Sequence, residues 1–252
     1  MLRVVYKPRG RALEYAPLAC NLYMGCTHGC KYCYAPGCVR HSLEDWHSSA
    51  IVRKDVVNLF TKDVEWLSVN MPDNEKRRVL FCFLSDPYQP LESQLHITRK
   101  CLQIAKDHGV KIDILTKGTY ARVSKDFALM KAVGVRFGVT LSFIDDAKRK
   151  EWEPMAASVS DRLKLLKKAH EMGIRTWVSV EPVIDPDEAI SVIERARAFV
   201  DYWKIGKLNY NKNVEKLVDW HKFYWDVRAL KKRHGLNVYI KQSLRKFARI
   251  SS

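Results

Sequence analysis

No run of eighteen consecutive apolar residues occurs in the chain, which removes a transmembrane helix from consideration. Low-complexity tracts and Gly/Ser-rich linkers are absent too, so the 252 residues, 47% of them apolar, are expected to share one large core. The opening residues, "MLRVVYKPRGRALEY", are basic but lack the apolar stretch and small-residue cleavage site of a secretory signal. A cytoplasmic monomer without a membrane partner is expected, in a compartment where thiols stay reduced. Acidic residues are scarce: 28 Asp and Glu face 44 Lys and Arg, a formal net charge of +16. Such a balance favours polyanionic partners, nucleic acid first. The cations are densest near the end, at Lys231, Lys232, Arg233, Lys241, Arg245, Lys246 and Arg249. Just upstream, "DWHKFYWDV" (219–227) reads as helix, with Leu217, Tyr224 and Val227 on a buried stripe and the cations facing out.

What is present is an alternation of short apolar runs and longer amphipathic ones. The runs "VLFCFL" (79–84), "KIDILT" (111–116), "VRFGVTL" (135–141), "IRTWVSV" (174–180) and "YWKIG" (202–206) read as buried strands. "APLACNLYM" (16–24) supplies a first strand, for about six units in all. Helical patterns fall at about 96–108, 119–132, 160–172, 185–199 and 213–233, with Asp185 and Pro186 as N-cap and first helical residue of the fourth. Strand–helix alternation argues for an α/β fold with a parallel sheet. An incomplete barrel and an open doubly wound sheet both satisfy this periodicity. Either builds its site in the loops after the strands, where the chain carries Ser85 and Asp86, Thr116 and Lys117, Ser142, Glu181 and Lys204.

Three of the seven cysteines fall within "CTHGCKYCY" (26–34), at a C-x3-C-x2-C spacing. A disulfide would pair two and strand the third. Zinc normally takes a fourth Cys or His; there is no second C-x2-C, but Cys38, His28, His41 and His47 are near enough to keep zinc as an alternative. A four-iron cluster fits better, because three thiolates leave one iron open to a small molecule. Gly25 and Gly29 would let the loop wrap closely. Cys20, Cys82 and Cys101 read as core residues.

"CTHGCKYC" resembles the cluster motif of the radical S-adenosylmethionine (SAM) enzymes, with Tyr32 as the aromatic before the third cysteine. The resemblance implies a partial (β/α)6 barrel with the cluster loop after its first strand. It also implies a 4Fe–4S cluster on Cys26, Cys30 and Cys33, with SAM chelated at the open iron. Reduction would then give a 5′-deoxyadenosyl radical that abstracts hydrogen from a substrate, with electrons from a donor such as flavodoxin or ferredoxin. Within the superfamily the chain is similar to spore photoproduct lyase and its DNA-repair-photolyase-like relatives, over roughly residues 18–210. "KYCYA", "LSDPYQPLESQLHITRKCLQIA" (84–105), "ILTKG", "VTLSF", "VSVEPVIDP" and "WKIGKLN" carry this similarity. It implies a lyase-like or isomerase-like reaction on a DNA or RNA base. A small molecule, peptide or protein side chain as substrate is the alternative, and a non-catalytic metal-bearing nucleic-acid-binding protein is a further one.

Carried over by this resemblance, Tyr32, Ser85, Asp86, Lys117, Ser142 and Glu181 are the candidate cofactor contacts. Tyr34 and Cys38 are the candidate catalytic residues. One departure stands out: where the lyase has its hydrogen-returning cysteine, this chain has Phe83, and Cys82 is one residue off and so on the opposite strand face. The expected organisation is an N-terminal extension (1–17), the barrel (18–210, cluster loop 24–40), and a C-terminal helix and basic tail packed on the barrel (211–252).

Overall fold

Alternation along each apolar run produces strands that bury both faces. The computed structural model describes residues 2–209 and 211–248; Arg249 lies outside them. Its strands are β1 (Val5–Tyr6), β2 (Leu18–Cys20), β3 (Tyr23–Met24), β4 (Ile51–Val52), β5 (Val79–Phe81), β6 (Ile112–Thr116), β7 (Arg136–Thr140), β8 (Arg175–Val183), β9 (Tyr202–Lys207) and β10 (Val238–Ile240). One sheet has the order β1-β2-β5-β6-β7-β8-β9-β10, and β3 pairs with β4 apart from it. β1 is antiparallel to β2, and all other pairings in the large sheet are parallel. Parallel strands in unreversed sequential order build a barrel wall, whereas a doubly wound sheet reverses its order. The chain therefore adopts the partial barrel, as an open arc. All six expected strands are present. The C-terminal segment adds a seventh parallel one, β10.

Helices Ile97–Asp107, Val159–Glu171 and Pro186–Ala196 form near their expected places. Asp185 caps the last of these, accepting from the amides of Asp187 and Glu188. The expected continuous helix over 213–233 is broken into Lys212–Leu217 and Trp220–His234. Asp219 captures the Lys222 amide at 2.9 Å and so starts a new helix. Leu217 consequently stands 85% exposed instead of joining the buried stripe, which Tyr224 and Val227 do join.

Strand register sorts the side chains into two layers. Phe81, Ile114, Phe137, Val178 and Ile205 belong to the larger core under the helices. Their sequence neighbours face the barrel interior, where Ala19, Leu80 and Trp177 pack together with Tyr15, Leu115 and Tyr202. Across β7 to β10, Thr140, Ser179, Lys204 and Tyr239 are successive register partners and make a polar row. Lys204, expected at a strand end, thus lies mid-strand.

The N-terminal segment completes this interior. After β1, a 3-10 turn (Gly10–Glu14) carries Tyr15 inward. The Tyr15 hydroxyl donates to Glu181 and lies 2.7 Å from the Ser179 hydroxyl. Lys204 Nζ donates to the carbonyls of Glu14 and Tyr15 at 2.8 and 2.7 Å. The Glu14 carboxylate accepts from the Tyr239 hydroxyl of β10 and from the Gln242 amide. One short segment therefore joins β2, β8, β9 and β10 around the open side of the arc.

Candidate active site at the loop end of the barrel

Pairing of β3 with β4 brings together the two ends of the segment that holds the cysteines, with Tyr23 opposite Val52 and Met24 opposite Ile51. Inside this ribbon the Cys26 amide donates to the Trp46 carbonyl at 3.1 Å. Gly25 has φ +75°, and a Cβ there would sit 2.1 Å from the Ser49 carbonyl oxygen. Only glycine permits that approach. Gly29, at φ +68°, packs against Pro154. The loop is also sewn to the far side of the barrel: the Lys31 amide donates to Trp152 O at 2.9 Å and the Met155 amide to His28 O at 3.1 Å.

Cys26 and Cys30 are buried, Cys33 is half-buried, and all three are free thiols. Burial pushes the Cys26 thiol up, reinforced by Asp86, and pushes Cys30 up to about 11 against the pull of Lys117. Burial also raises Cys33, again opposed by Lys117. Lys117 thus sits within electrostatic reach of all three. Without a cationic centre these thiols stay protonated, as expected of groups whose deprotonation is coupled to metal binding. Among the described residues no three His, Cys, Asp or Glu side chains converge closely enough to share one metal ion. Mononuclear zinc requires such convergence. A multi-iron cluster, taking one thiolate per iron, does not.

Ser85, Asp86 and Lys117, from the strand ends, meet this loop, whereas Glu181, expected at a strand end, lies within β8. Ser85 Oγ donates to the Gly25 carbonyl at 2.6 Å and accepts from Gln89 at 3.1 Å. Asp86 is buried and accepts from the Tyr88 amide, the Thr116 hydroxyl and the Lys117 amide at 2.7, 2.6 and 2.7 Å. His28 Nε2 lies 3.3 Å from the same carboxylate. Burial alone would raise Asp86, but the His28 ring and these donors hold it well below the usual carboxylate range. Ser142 is 1% exposed and its hydroxyl has no protein partner among the described residues. Glu181 is held by Tyr15 and by Lys241, whose Nζ is 2.9 Å away.

Tyr32 donates its hydroxyl to Glu153, and Lys117 Nζ stands 5.5 Å from its ring centroid. Tyr34 is exposed; its hydroxyl donates to the Phe83 carbonyl at 2.8 Å. Cys38 is exposed on the helix Ala35–Val39, one turn beyond Tyr34. Cys20, Cys82 and Cys101 are buried, and Cys82 Sγ accepts from the Leu22 amide at 3.4 Å. Sequence reasoning gave no site role to Glu153, Arg162 or Tyr15, weighed His28 only as an alternative zinc ligand, and counted Lys241 only among the C-terminal cations. Their partners lie far away in the chain, and only the parity of Tyr15 and Glu181 with inward positions could have hinted at them.

The residues fit an iron–sulfur cluster and SAM: three thiols on one closed loop, a lysine beside them, and an orphaned buried hydroxyl at a strand end. A model of the radical SAM superfamily matches residues 20–200. An uncharacterised protein of Methanocaldococcus jannaschii is 27% identical over 77% of this chain and 71% of its own length. One from Mycobacterium tuberculosis is 25% identical over 70% of this chain, which spans only 52% of that relative. Among solved structures, a spore photoproduct lyase variant with bound SAM and dinucleoside spore photoproduct superposes with a TM-score of 0.63, 16% identity, and coverage of 88% of this chain and 64% of that one. Another lyase variant reaches a TM-score of 0.69 at 13% identity, covering 95% of this chain and 78% of that one. SuiB of Streptococcus suis with bound SAM gives 0.54 at 14% identity, covering 72% and 43%. The family match over most of the chain, the barrel it folds into and the three-thiol loop at its mouth agree, and the chain belongs to the radical SAM superfamily.

Proposed function

We propose that this radical SAM enzyme holds a 4Fe–4S cluster on Cys26, Cys30 and Cys33 and acts on a base of DNA or RNA. The observation that carries the cluster assignment is the closed loop presenting three free thiols beside Lys117. When bound, the cluster supplies one electron for cleavage of SAM, whose adenosyl fragment takes a hydrogen atom from the substrate. The chain's own residues bind and orient. Lys117 offers an ammonium to the SAM carboxylate, Ser142 its unpartnered hydroxyl, and Tyr32 a ring face. Ser85 and Asp86 have their oxygens committed to protein donors and a loop carbonyl, and Glu181 has one oxygen held by Tyr15 and Lys241, so they shape the site from behind. Tyr34 and Cys38, one turn apart and both exposed, are our candidates to return a hydrogen atom.

The nucleic-acid substrate is supported by the charge of +16 and by Trp225, 48% exposed among cations. A second reading, an apolar peptide or small molecule, draws on a groove of about 460 Å³ lined by Phe143, Trp152, Ile184, Val214 and Leu217 at the same end. Anaerobic reconstitution tests the enzyme class: about four irons per chain and release of 5′-deoxyadenosine with dithionite and SAM are expected. Cys26→Ala, Cys30→Ala and Cys33→Ala should each abolish that release; a variant that still cleaves SAM reductively would sink the assignment. Substrate-dependent 5′-deoxyadenosine with oligonucleotides, and none with peptides, would decide between the two substrates.

A further inference from the structure

Each spacer of the cysteine loop carries one side chain set against a buried carboxylate from another part of the fold. Between Cys26 and Cys30, His28 is 3% exposed and its Nε2 lies 3.3 Å from Asp86, which follows β5. Between Cys30 and Cys33, Tyr32 donates its hydroxyl to Glu153, which follows the helix Asp146–Trp152. Neither carboxylate is free to drift. Asp86 accepts from three further donors on two elements. Glu153 is 0% exposed and pairs with Arg162 at 2.5 Å, and Arg162 itself donates to the carbonyls of Ala157 and Thr140 at 3.0 and 2.9 Å. Lys117 touches both arrangements, its amide donating to Asp86 and its ammonium lying over the Tyr32 ring.

We propose that Asp86 and Glu153 are positioning residues that pin His28 and Tyr32, and so fix both inter-cysteine spacings before any metal arrives. This rests on the ligand role given to the three cysteines above. A fully buried ion pair such as Glu153–Arg162 is expensive to desolvate and is a poor way to gain stability alone. Its value here is geometric. With one pin per spacer, thiols separated by flexible peptide are held as a set, and less ordering remains for the cluster to impose. The Tyr32 ring is fixed at the same time, with Lys117 over it.

The test compares the full-length wild type with Asp86→Asn, Glu153→Gln and Tyr32→Phe. Tyr32→Phe removes one tether while leaving the Glu153–Arg162 pair intact, which guards against general misfolding. In the metal-free protein, amide hydrogen exchange over residues 26–34 should quicken in all three, with the strands of the barrel unchanged. After reconstitution, iron content and SAM affinity should each fall by about 10-fold or more, the scale typical of groups that orient ligands. Exchange and SAM affinity at wild-type values in both Tyr32→Phe and Glu153→Gln would overturn the proposal. Should the wild type itself take up no iron, the ligand assignment fails, while the exchange measurement on the metal-free chain still decides whether the pins order the loop.

Discussion

Lys204 carries its amine into the barrel interior. It is buried among Tyr15, Trp177 and Tyr202, and that burial, opposed by Asp113 and abetted by Arg136, lowers its amine to about 7. The sign of the linkage follows. Between that value and the ordinary lysine range the unfolded chain binds the proton that the folded chain has released, so stability rises with pH across the window. Lys204→Met removes the group. Denaturant unfolding at about pH 7.5 and about pH 9.5 should show the wild-type gain shrink in the variant; an identical gain would mean that the folded protein keeps Lys204 charged. Gly25 poses a different single-residue constraint. Gly25→Ala must accept φ +75° and a Cβ overlapping the Ser49 carbonyl. We expect a loss of about 2 kcal/mol or more in unfolding free energy, together with failure to retain iron. An Ala variant that takes up iron normally would show that the ribbon can open without cost to the site.

At the scale of elements, the N-terminal segment behaves as part of the barrel. Tyr15 fills the interior and binds β8, while Glu14 and its carbonyl engage β9 and β10. Tyr15 is half-buried, so Tyr15→Ala should cost about 2–3 kcal/mol, at or below the lower end of the range for a fully buried aromatic. Tyr15→Phe should cost about 1 kcal/mol, for the hydroxyl alone. Urea unfolding of the two variants checks this, and equal losses would deny the ring any packing role. None of it was legible in the sequence, where Gly10–Glu14 is a short, aperiodic, glycine-containing stretch and the segment's partners lie more than 160 positions away. The six strands were legible because each falls in a short, strongly apolar run bounded by polar residues, the pattern of a buried strand. β10 was not, since its apolar run stops at the three residues Val238–Ile240 between Asn237 and Lys241, whereas β2 and β5, equally short as strands, sit in longer apolar runs. The cysteine spacing announced the loop that brings Cys26, Cys30 and Cys33 together. Its supports, Glu153 and Arg162, look like ordinary surface charges in the chain and become buried only because the segment after β7 folds back over the loop.

For the whole molecule, the proposed nucleic-acid substrate implies a path along exposed cations. On the helix Trp220–His234, Trp225, Arg228 and Lys232 are exposed and share one face, at i, i+3 and i+7. The helix begins near the loop end of the barrel, where Lys207 at the end of β9 lies 5.6 Å from the Trp220 ring. A single strand entering the site could therefore run its phosphates down this flank and stack a base on Trp225. Binding of single-stranded DNA or RNA should weaken steeply with salt. Neutralising two phosphate contacts with Arg228→Gln and Lys232→Gln should flatten the slope of log K against log salt by about 1.4. Trp225→Ala should instead lower affinity by about 1–3 kcal/mol and leave the slope unchanged, because stacking releases no counterions. If wild type and variants bind alike, the strand takes another route. If the wild type fails to bind at low salt, the nucleic-acid substrate falls, and the groove beside Phe143 and Trp152 becomes the place to look for a peptide.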